Sequence, residues 1–414
     1  MLINFRVENF KSFKNYTEFS MLATKLKNLK LSNTFNINTI SLLTSAVIYG
    51  ANASGKSSVL NSIETMISII KNSIDIDKSK HYKALPFLLN KDTENKPSIF
   101  EIEFIIGEII YRYGFEINID STILKEWLDR KKLKKRSRFV SLFKRNQEKI
   151  SINLNFKEGN NIFPKTRKNA LFLTVVAQFN GKISAEILNW INKIKILSNI
   201  KSEMFEHYSF AKLDDKKFKE KIISLVKGAD IGVHDIIKEK DSNFDQIKKE
   251  GMSSIKTKHI QYTNDQSFHK IKTFDLGLES EGTKKLFALA APILDSLENG
   301  EILIIDELDN SLHTLLAKAI IALFNSAEKN KNHAQLIFTT HDTNLLDQKI
   351  FRRDQIWFTQ KNILGESDLY SLVEYGKGKA RDDLSLEKNY LKGKFGSIPH
   401  INSLSYEADN GELF

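Results

Sequence analysis

The residues Val47-Ile48-Tyr49-Gly50-Ala51-Asn52-Ala53-Ser54-Gly55-Lys56-Ser57-Ser58 place a complete GxxxxGKS pattern between a short apolar run and a helical one. A loop of this kind, from Gly50 through Asn52, Ala53, Ser54 and Gly55 to Ser58, aims successive backbone N–H groups at phosphate oxygens. The Lys56 ammonium reaches the β and γ oxygens and the Ser57 hydroxyl ligates Mg²⁺. The chemistry implied is binding of a nucleoside triphosphate.

Two downstream stretches supply what such a loop lacks. Glu301-Ile302-Leu303-Ile304-Ile305-Asp306-Glu307 reads as a buried strand ending in two carboxylates, the form of a Walker B strand presenting its C-terminal edge to phosphates. Asp306 would hold Mg²⁺ through water, and Glu307 would polarise the attacking water. Gln335-Leu336-Ile337-Phe338-Thr339-Thr340 is a second buried strand, ending in His341-Asp342. A histidine on that edge can hydrogen-bond a γ-phosphate or the catalytic water. Leu278-Glu279-Ser280-Glu281-Gly282-Thr283 precedes a helix with Leu286, Leu289, Ile293, Leu294 and Leu297 on one face. Alone, this hexapeptide fits an N-cap and an anion-binding helix start equally well. The order of phosphate loop, long insertion, Ser-x-Gly helix start, Asp-Glu strand and His strand favours the second.

The elements that must position these groups are legible in the periodicity. Residues 1–20 alternate as two strands, Ile3-Phe5-Val7 and Tyr16-Glu18-Phe19, and Leu60, Ile63, Met66, Ile67 and Ile70 mark one buried face of a helix after the loop. From Ser98 to about Leu154 apolar and polar residues alternate, as in an antiparallel meander. Helical spacing runs from Ser184 to roughly Glu239, with Ile187, Leu188, Trp190 and Ile191 on one face, and Lys248 to Phe268 is polar.

A chain of 414 residues exceeds one ordinary core, so two lobes or a large insertion are expected. With no cysteine, disulfides, thiolate metal sites and Cys nucleophiles are excluded, in keeping with a reducing cytosol. No apolar run is long enough for a bilayer and Met1-Leu2-Ile3-Asn4-Phe5-Arg6 is not a secretory signal, so a soluble cytoplasmic protein without a membrane partner is expected. The net charge of +11 permits attraction to nucleic acid, but Lys, Asn and Ile are frequent throughout. The densest basic run, Arg130-Lys131-Lys132-Leu133-Lys134-Lys135-Arg136-Ser137-Arg138 with Lys125 and Lys144-Arg145 beside it, reads as a solvated hairpin tip more readily than as a phosphate-contacting patch.

The motif order resembles the ATP-binding-cassette heads of SMC, RecF and OLD-type proteins. The resemblance implies that Ser280-Glu281-Gly282 is the signature touching the γ-phosphate held by a partner subunit, so that ATP is sandwiched between two heads. It also implies that Leu308-Asp309-Asn310-Ser311-Leu312-His313 is the D-loop, with Asp309 at the nucleotide. In that family a glutamine after a strand couples ATP and Mg²⁺ to the arm, and Gln178 in Leu171–Asn180 is the candidate here.

A narrower resemblance rests on Asn9-Phe10-Lys11-Ser12-Phe13, Pro97–Ile102, Tyr111-Arg112-Tyr113-Gly114-Phe115, Arg353-Asp354-Gln355-Ile356-Trp357-Phe358 and Tyr390–Pro399. These are similar to the prokaryotic AAA/ABC-type ATPases of the RloA or AbiLi-like kind, related to the ATPase subunit of the PARIS anti-phage system and to the ATPase half of OLD nucleases. Unlike OLD proteins, the chain has no run of Toprim carboxylates after Tyr390–Pro399, and Arg381-Asp382-Asp383 lacks the companions such a site needs. The resemblance therefore implies a toxin or a Toprim or HNH-type nuclease acting in trans, and a phage protein as a possible trigger.

The expected architecture is an α/β ABC-type P-loop ATPase head, a mixed sheet with helices plus an antiparallel β lobe, carrying an inserted mainly helical arm. Residues 1–180 and 266–414 would form the head and 181–265 the arm. The expected function is Mg²⁺-dependent ATP hydrolysis in at least a head-to-head dimer, serving phage defence. The rivals are a RecF or SMC-like ATPase that clamps duplex DNA, with the hairpin at 125–145 in contact, and a nucleotide-dependent scaffold.

Overall fold

The computed structural model describes residues 1–75, 84–198, 202–228, 232–239, 255–374 and 385–397. The apolar runs that end in the candidate site lie side by side in a six-stranded sheet. Its order is Ile194–Leu197, Ile302–Ile305, Gln335–Thr339, Ser45–Gly50, Ile356–Lys361 and Ser367–Ser371, all parallel except the last. Strands Ser45–Gly50, Ile302–Ile305 and Gln335–Thr339 are buried at every position, as parallel strands covered on both faces must be.

Alternation along these strands divides two cores. Ala46, Ile48, Ile302, Ile304 and Ile337 pack into one apolar cluster, while Val47, Tyr49, Leu303, Ile305, Leu336 and Phe338 pack into the other. The first is filled by helix Lys56–Asn72, through Val59, Leu60, Ile63, Met66, Ile67, Ile69 and Ile70, and by the antiparallel lobe. The second is filled by helices Glu281–Asn299 and Thr314–Phe324. Each fully buried aliphatic side chain contributes about 1.5–3 kcal/mol, so both layers hold the loop-bearing strand rigidly.

The antiparallel lobe is a seven-stranded sheet in the order Lys149–Ile152, Val140–Asn146, Ile123–Lys132, Ile109–Ile117, Ser98–Ile106, Leu2–Glu8, Thr17–Ser20. The period-two pattern from Ser98 onward and the two strands before residue 20 are thus parts of one sheet. The two sheets and their helices make the expected α/β architecture, a mixed sheet with helices plus an antiparallel β lobe. Among the described residues, no helix is long and apolar enough to cross a membrane.

One ion pair in the lobe is fully buried. The Glu126 carboxylate accepts the N–H groups of Phe172 and Leu173 at 2.6 and 2.9 Å and the Tyr113 hydroxyl at 2.9 Å. Arg145 lies 3.7 Å from it and donates to the Ala170 carbonyl at 2.7 Å. Burial pushes the Glu126 carboxyl above its ordinary range, and Arg145 and the two backbone donors oppose that. Arg145, at 4% exposure, is therefore a structural residue and not the phosphate contact that its place beside the basic run allowed. Removing one partner leaves an uncompensated buried charge, so Arg145→Ala is expected to lose about 3–5 kcal/mol in urea unfolding. A loss below about 1 kcal/mol would show the pair to be dispensable.

The insertion differs from the expected arm in two respects. Helix Lys182–Ile191 buries Ile187, Trp190 and Ile191 in the head core, and Ile194–Leu197 is a strand of the central sheet, so the head continues past residue 181. Amphipathic spacing gave the helix but not its destination, which depends on a strand only four residues long. Beyond it, helices Ser202–Lys212 and Lys216–Lys227 pack on helix Glu281–Asn299. A three-stranded sheet of Asp235–Lys238, Ile255–Tyr262 and Phe268–Asp275 follows, so the insertion carries a small sheet beside its helices and runs past residue 265. Positions Phe268 to Thr273 are all exposed, which is why polar and charged residues there hid a strand.

Candidate nucleotide-binding site

The phosphate loop is shaped by what its residues lack. Gly55 has φ +117°, a conformation only glycine adopts without strain, and a Cβ on it would meet the Ser367 hydroxyl at 2.7 Å. A Cβ on Gly50 would sit 2.4 Å from both the Ser54 and Thr359 hydroxyl oxygens. Ala53 also has positive φ, at 60°, which turns the loop over the start of helix Lys56–Asn72. The loop rests on the neighbouring strands, where Ser54 and Thr359 share a 2.6 Å hydroxyl contact and Ser367 Oγ donates to the Ser54 carbonyl at 2.7 Å.

Lys56 is buried, and its Nζ donates to the carbonyls of Gly50 at 2.8 Å and Ala51 at 3.0 Å. The ammonium is held within the loop that would cradle a triphosphate. Burial lowers its pKa, and the negative charges of Glu307, Asp306 and Asp309 pull it back up. Asn52, Ala53 and Ser57 are exposed, while Ser58 is half-buried in the first turn of the helix.

The carboxylates meet the loop from the end of strand Ile302–Ile305, two places along the sheet from the loop-bearing strand. Ser57 Oγ lies 3.4 Å from Asp306 Oδ1. Thr339 joins the two strands, its hydroxyl donating to Asp306 Oδ1 at 2.6 Å and accepting the Glu307 N–H at 2.7 Å. Glu307 itself has φ +52°, a left-handed conformation that costs a non-glycine residue about 1 kcal/mol or more. His341 Nε2 stands 3.9 Å from Glu307 Oε1, and the His341 N–H donates to the Asp309 carboxylate, 3.2 Å from Oδ2. Ser57, Asp306, Glu307, Asp309 and His341 thus converge beside Lys56. A hydroxyl and a carboxylate suit Mg²⁺, which takes few protein oxygens and completes its octahedron with water and substrate phosphate.

The signature segment is built as a helix start. The Ser280 hydroxyl accepts the Thr283 N–H at 3.1 Å, and Glu281 pairs with Lys284 at 2.7 Å. A Cβ on Gly282 would lie 3.1 Å from the Ser311 carbonyl, so this helix start abuts the turn that carries Asp309. Among the described residues no hydrogen bond joins Ser280, Glu281 or Gly282 to the chain's own phosphate loop. Glu279, immediately before, accepts from the Thr257 hydroxyl and lies 2.7 Å from His259 Nε2, which ties the signature to strand Ile255–Tyr262.

Gln178 is not brought to this site. It is exposed at the end of helix Phe172–Gln178, which packs on helix Lys182–Ile191. The element flanking the carboxylate strand is Ile194–Leu197, whose last carbonyl accepts the Asp306 N–H at 2.9 Å. The apolar run Leu171–Ala177 imitated a buried strand but folds as a short buried helix held by Glu126.

Four residues of the site escaped the motif reading. Thr339, Thr359 and Ser367 act through hydroxyls on separate strands, and only the register of the sheet brings them to the loop. Lys285 lies on the signature helix, where burial lowers its pKa while Glu307, Asp309 and Asp306 draw it upward. Its position one turn after Ser280 was the only available signal.

Solved structures to which this chain is similar include an SMC head domain from Thermotoga maritima, at 13% identity over 89% of this chain and 98% of that chain, with TM-score 0.40. An SMC head bound to the C-terminal winged-helix domain of ScpA aligns at 15% identity over 89% of this chain and 97% of that chain, with TM-score 0.44. No curated protein matches the chain. Residues 45–347 match the model of a family described as "AAA domain, putative AbiEii toxin, Type IV TA system". That match takes in the phosphate loop, Ser280–Gly282, Asp306, Glu307 and His341, and covers more than half of the sequence; the chain belongs to this AAA family.

Proposed function

We propose that the chain is an ABC-type ATPase that binds and hydrolyses Mg²⁺-ATP at a site shared by two copies. The observation that carries this reading is the division of the site. Loop, carboxylates and His341 converge in one place, whereas Ser280–Gly282, beside Ser311, have no hydrogen bond to the chain's own phosphate loop among the described residues. In a pair of heads each such surface would close over the other's phosphate loop.

Lys56 and the loop amides would bind the β- and γ-phosphates, while Ser57 and Asp306 would hold Mg²⁺. The ion, when bound, supplies charge neutralisation on the phosphate oxygens. Glu307 would take a proton from the attacking water, and Thr339 keeps Asp306 and the Glu307 backbone fixed while it does so. His341, anchored through its N–H to Asp309, would sense the γ-phosphate. Ser280 and Gly282 would complete the partner's site. Most of the rate effect would come from positioning and charge stabilisation.

Sedimentation of Glu307→Gln tests the sharing. With Mg²⁺-ATP the variant should sediment as a dimer, and with ADP as a monomer. An unchanged sedimentation coefficient in ATP would remove the shared site.

The family's toxin–antitoxin description and the RloA-like motifs support a cytoplasmic role in anti-phage defence, as sensor or scaffold for a separate toxin or nuclease. A phage protein would be the trigger. Arg381-Asp382-Asp383 lie outside the described residues.

The rival reading, a DNA clamp, draws on the basic hairpin. There Lys131 is occupied, 3.7 Å from Glu103 and 4.2 Å from the centre of the Phe139 ring, and Lys125 pairs with Glu116 at 2.9 Å. Lys132, Lys134, Lys135 and Arg136 are exposed around the tip. Changing these four to Glu should leave ATP turnover within about twofold, as recharging a solvated tip does. Duplex binding should be weak before and after. Salt-sensitive duplex binding that the variant loses, together with protection from phage, would establish the clamp instead.

A further inference from the structure

A groove of about 540 Å³ lies on the side of the head away from the antiparallel lobe. Its floor and walls are apolar: Leu225 from helix Lys216–Lys227, Leu294 and Leu297 from the signature helix, and Leu316, Ile320 and Leu323 from helix Thr314–Phe324. Its rim is cationic. Lys221, Lys329 and Lys331 border it against a single acid, Glu298, which Lys221 already engages at 2.6 Å. Lys329 pairs loosely with Glu328 at 3.8 Å, and both side chains are well exposed.

We propose that this groove docks an acidic amphipathic helix of a separate protein. Three helices leaving an open apolar trough is the geometry that takes the apolar face of a fourth, with anchors at i, i+3 or i+4, and i+7. The lysine rim requires negative charge flanking those anchors. A second copy of this chain meets the rim poorly, because its own net charge is +11.

The position of the groove gives docking a consequence. Two of its walls are the helices that begin at Glu281, capped by Ser280, and at Thr314, capped by His313 at the end of the D-loop turn. A helix wedged between their bodies shifts the helix starts that face the partner's nucleotide. This coupling rests on the shared-site reading above; the docking itself does not.

A display library of random 16-residue peptides panned on the whole chain tests the proposal. The selected peptides should be acidic with apolar residues at helical spacing. A synthetic peptide from that set, followed by fluorescence anisotropy, should lose at least tenfold in affinity for the double variant Lys329→Glu and Lys331→Glu, whose exposed positions leave folding intact. A peptide with its acids changed to Lys should regain affinity for that variant. Leu323→Arg should abolish binding of both peptides. Selected peptides without acidic bias, or affinity unchanged by the double variant, would overturn the proposal. So would tighter binding of a peptide of residues 398–414, or a dimer that Leu323→Arg dissociates, since the occupant would then be this chain itself. Peptide affinity that is equal with and without Mg²⁺-ATP, while ATP still drives dimerisation, would remove the coupling alone. Loss of ATP-driven dimerisation with peptide binding intact would remove the shared site and keep the groove.

Discussion

Lys56→Ala should lose nucleotide binding, whereas Glu307→Gln should bind ATP as the wild type does and turn it over at least a hundredfold more slowly. In the proposed mechanism the two residues act at different stages of the reaction. Lys56 is buried in the loop with its ammonium on the Gly50 and Ala51 carbonyls, so its charge is in place before ATP arrives and would serve the ground state. Losing a charge-assisted contact to two phosphates costs about 3 kcal/mol, roughly a hundredfold in affinity. Glu307 lies at the end of the carboxylate strand, its N–H held by Thr339 and its carboxylate beside His341, and its proposed partner is the attacking water. Removing a general base costs about 10²–10⁴ in rate and little in binding. Equilibrium binding of a fluorescent ATP analogue and steady-state phosphate release separate the two. Equal affinity in wild type and Lys56→Ala would refute the phosphate-loop assignment, and comparable turnover in Glu307→Gln would remove Glu307 as the base.

Ser280→Arg should leave nucleotide binding by the chain's own loop within about threefold while lowering turnover at least a hundredfold. Among the described residues Ser280 hydrogen-bonds Thr283 and no residue of the phosphate loop, so its loss disturbs no contact of that loop. As an N-cap alone it is worth about 1 kcal/mol of helix stability, which Ser280→Ala measures by thermal unfolding. Arginine at this position adds bulk and charge where the partner's γ-phosphate should sit. A variant that binds ATP, unfolds at nearly the wild-type temperature and does not hydrolyse would place Ser280 in the chemistry. Normal turnover would reduce Glu279–Thr283 to a helix cap.

Local patterns carried much of this molecule. Glycine spacing and two apolar strands ending in charged residues pointed to the loop, Asp306, Glu307 and His341, which the structure brings together, and a Ser-x-Gly pattern pointed to the helix start at Ser280. Each of those signals lies within a few adjacent residues, where chemistry and backbone are set together. The meander after Ser98 was legible because one face of each strand is buried, which enforces period two. What failed was decided at long range. Leu171–Ala177 is as apolar as a core strand, and only the buried Glu126, some 45 residues earlier, caps it as a helix and carries Gln178 away from the nucleotide. The solvent-exposed strand Phe268–Asp275 shows little alternation because almost none of it is buried. Thr339 and Thr359 owe their roles to sheet register, and no spacing in the sequence reports register between strands.

The most direct measurement of the shared site mixes Lys56→Ala with Ser280→Arg, each inactive alone. In a random mixture about half the dimers pair one of each, and every such dimer has one intact loop facing one intact signature. ATP turnover should therefore recover to about a quarter of the wild-type rate per chain, one intact site in two for half of the dimers. A mixture that stays inactive although affinity-tagged copies prove that the two variants associate would contradict the account, because each head would then have to hold a complete site of its own.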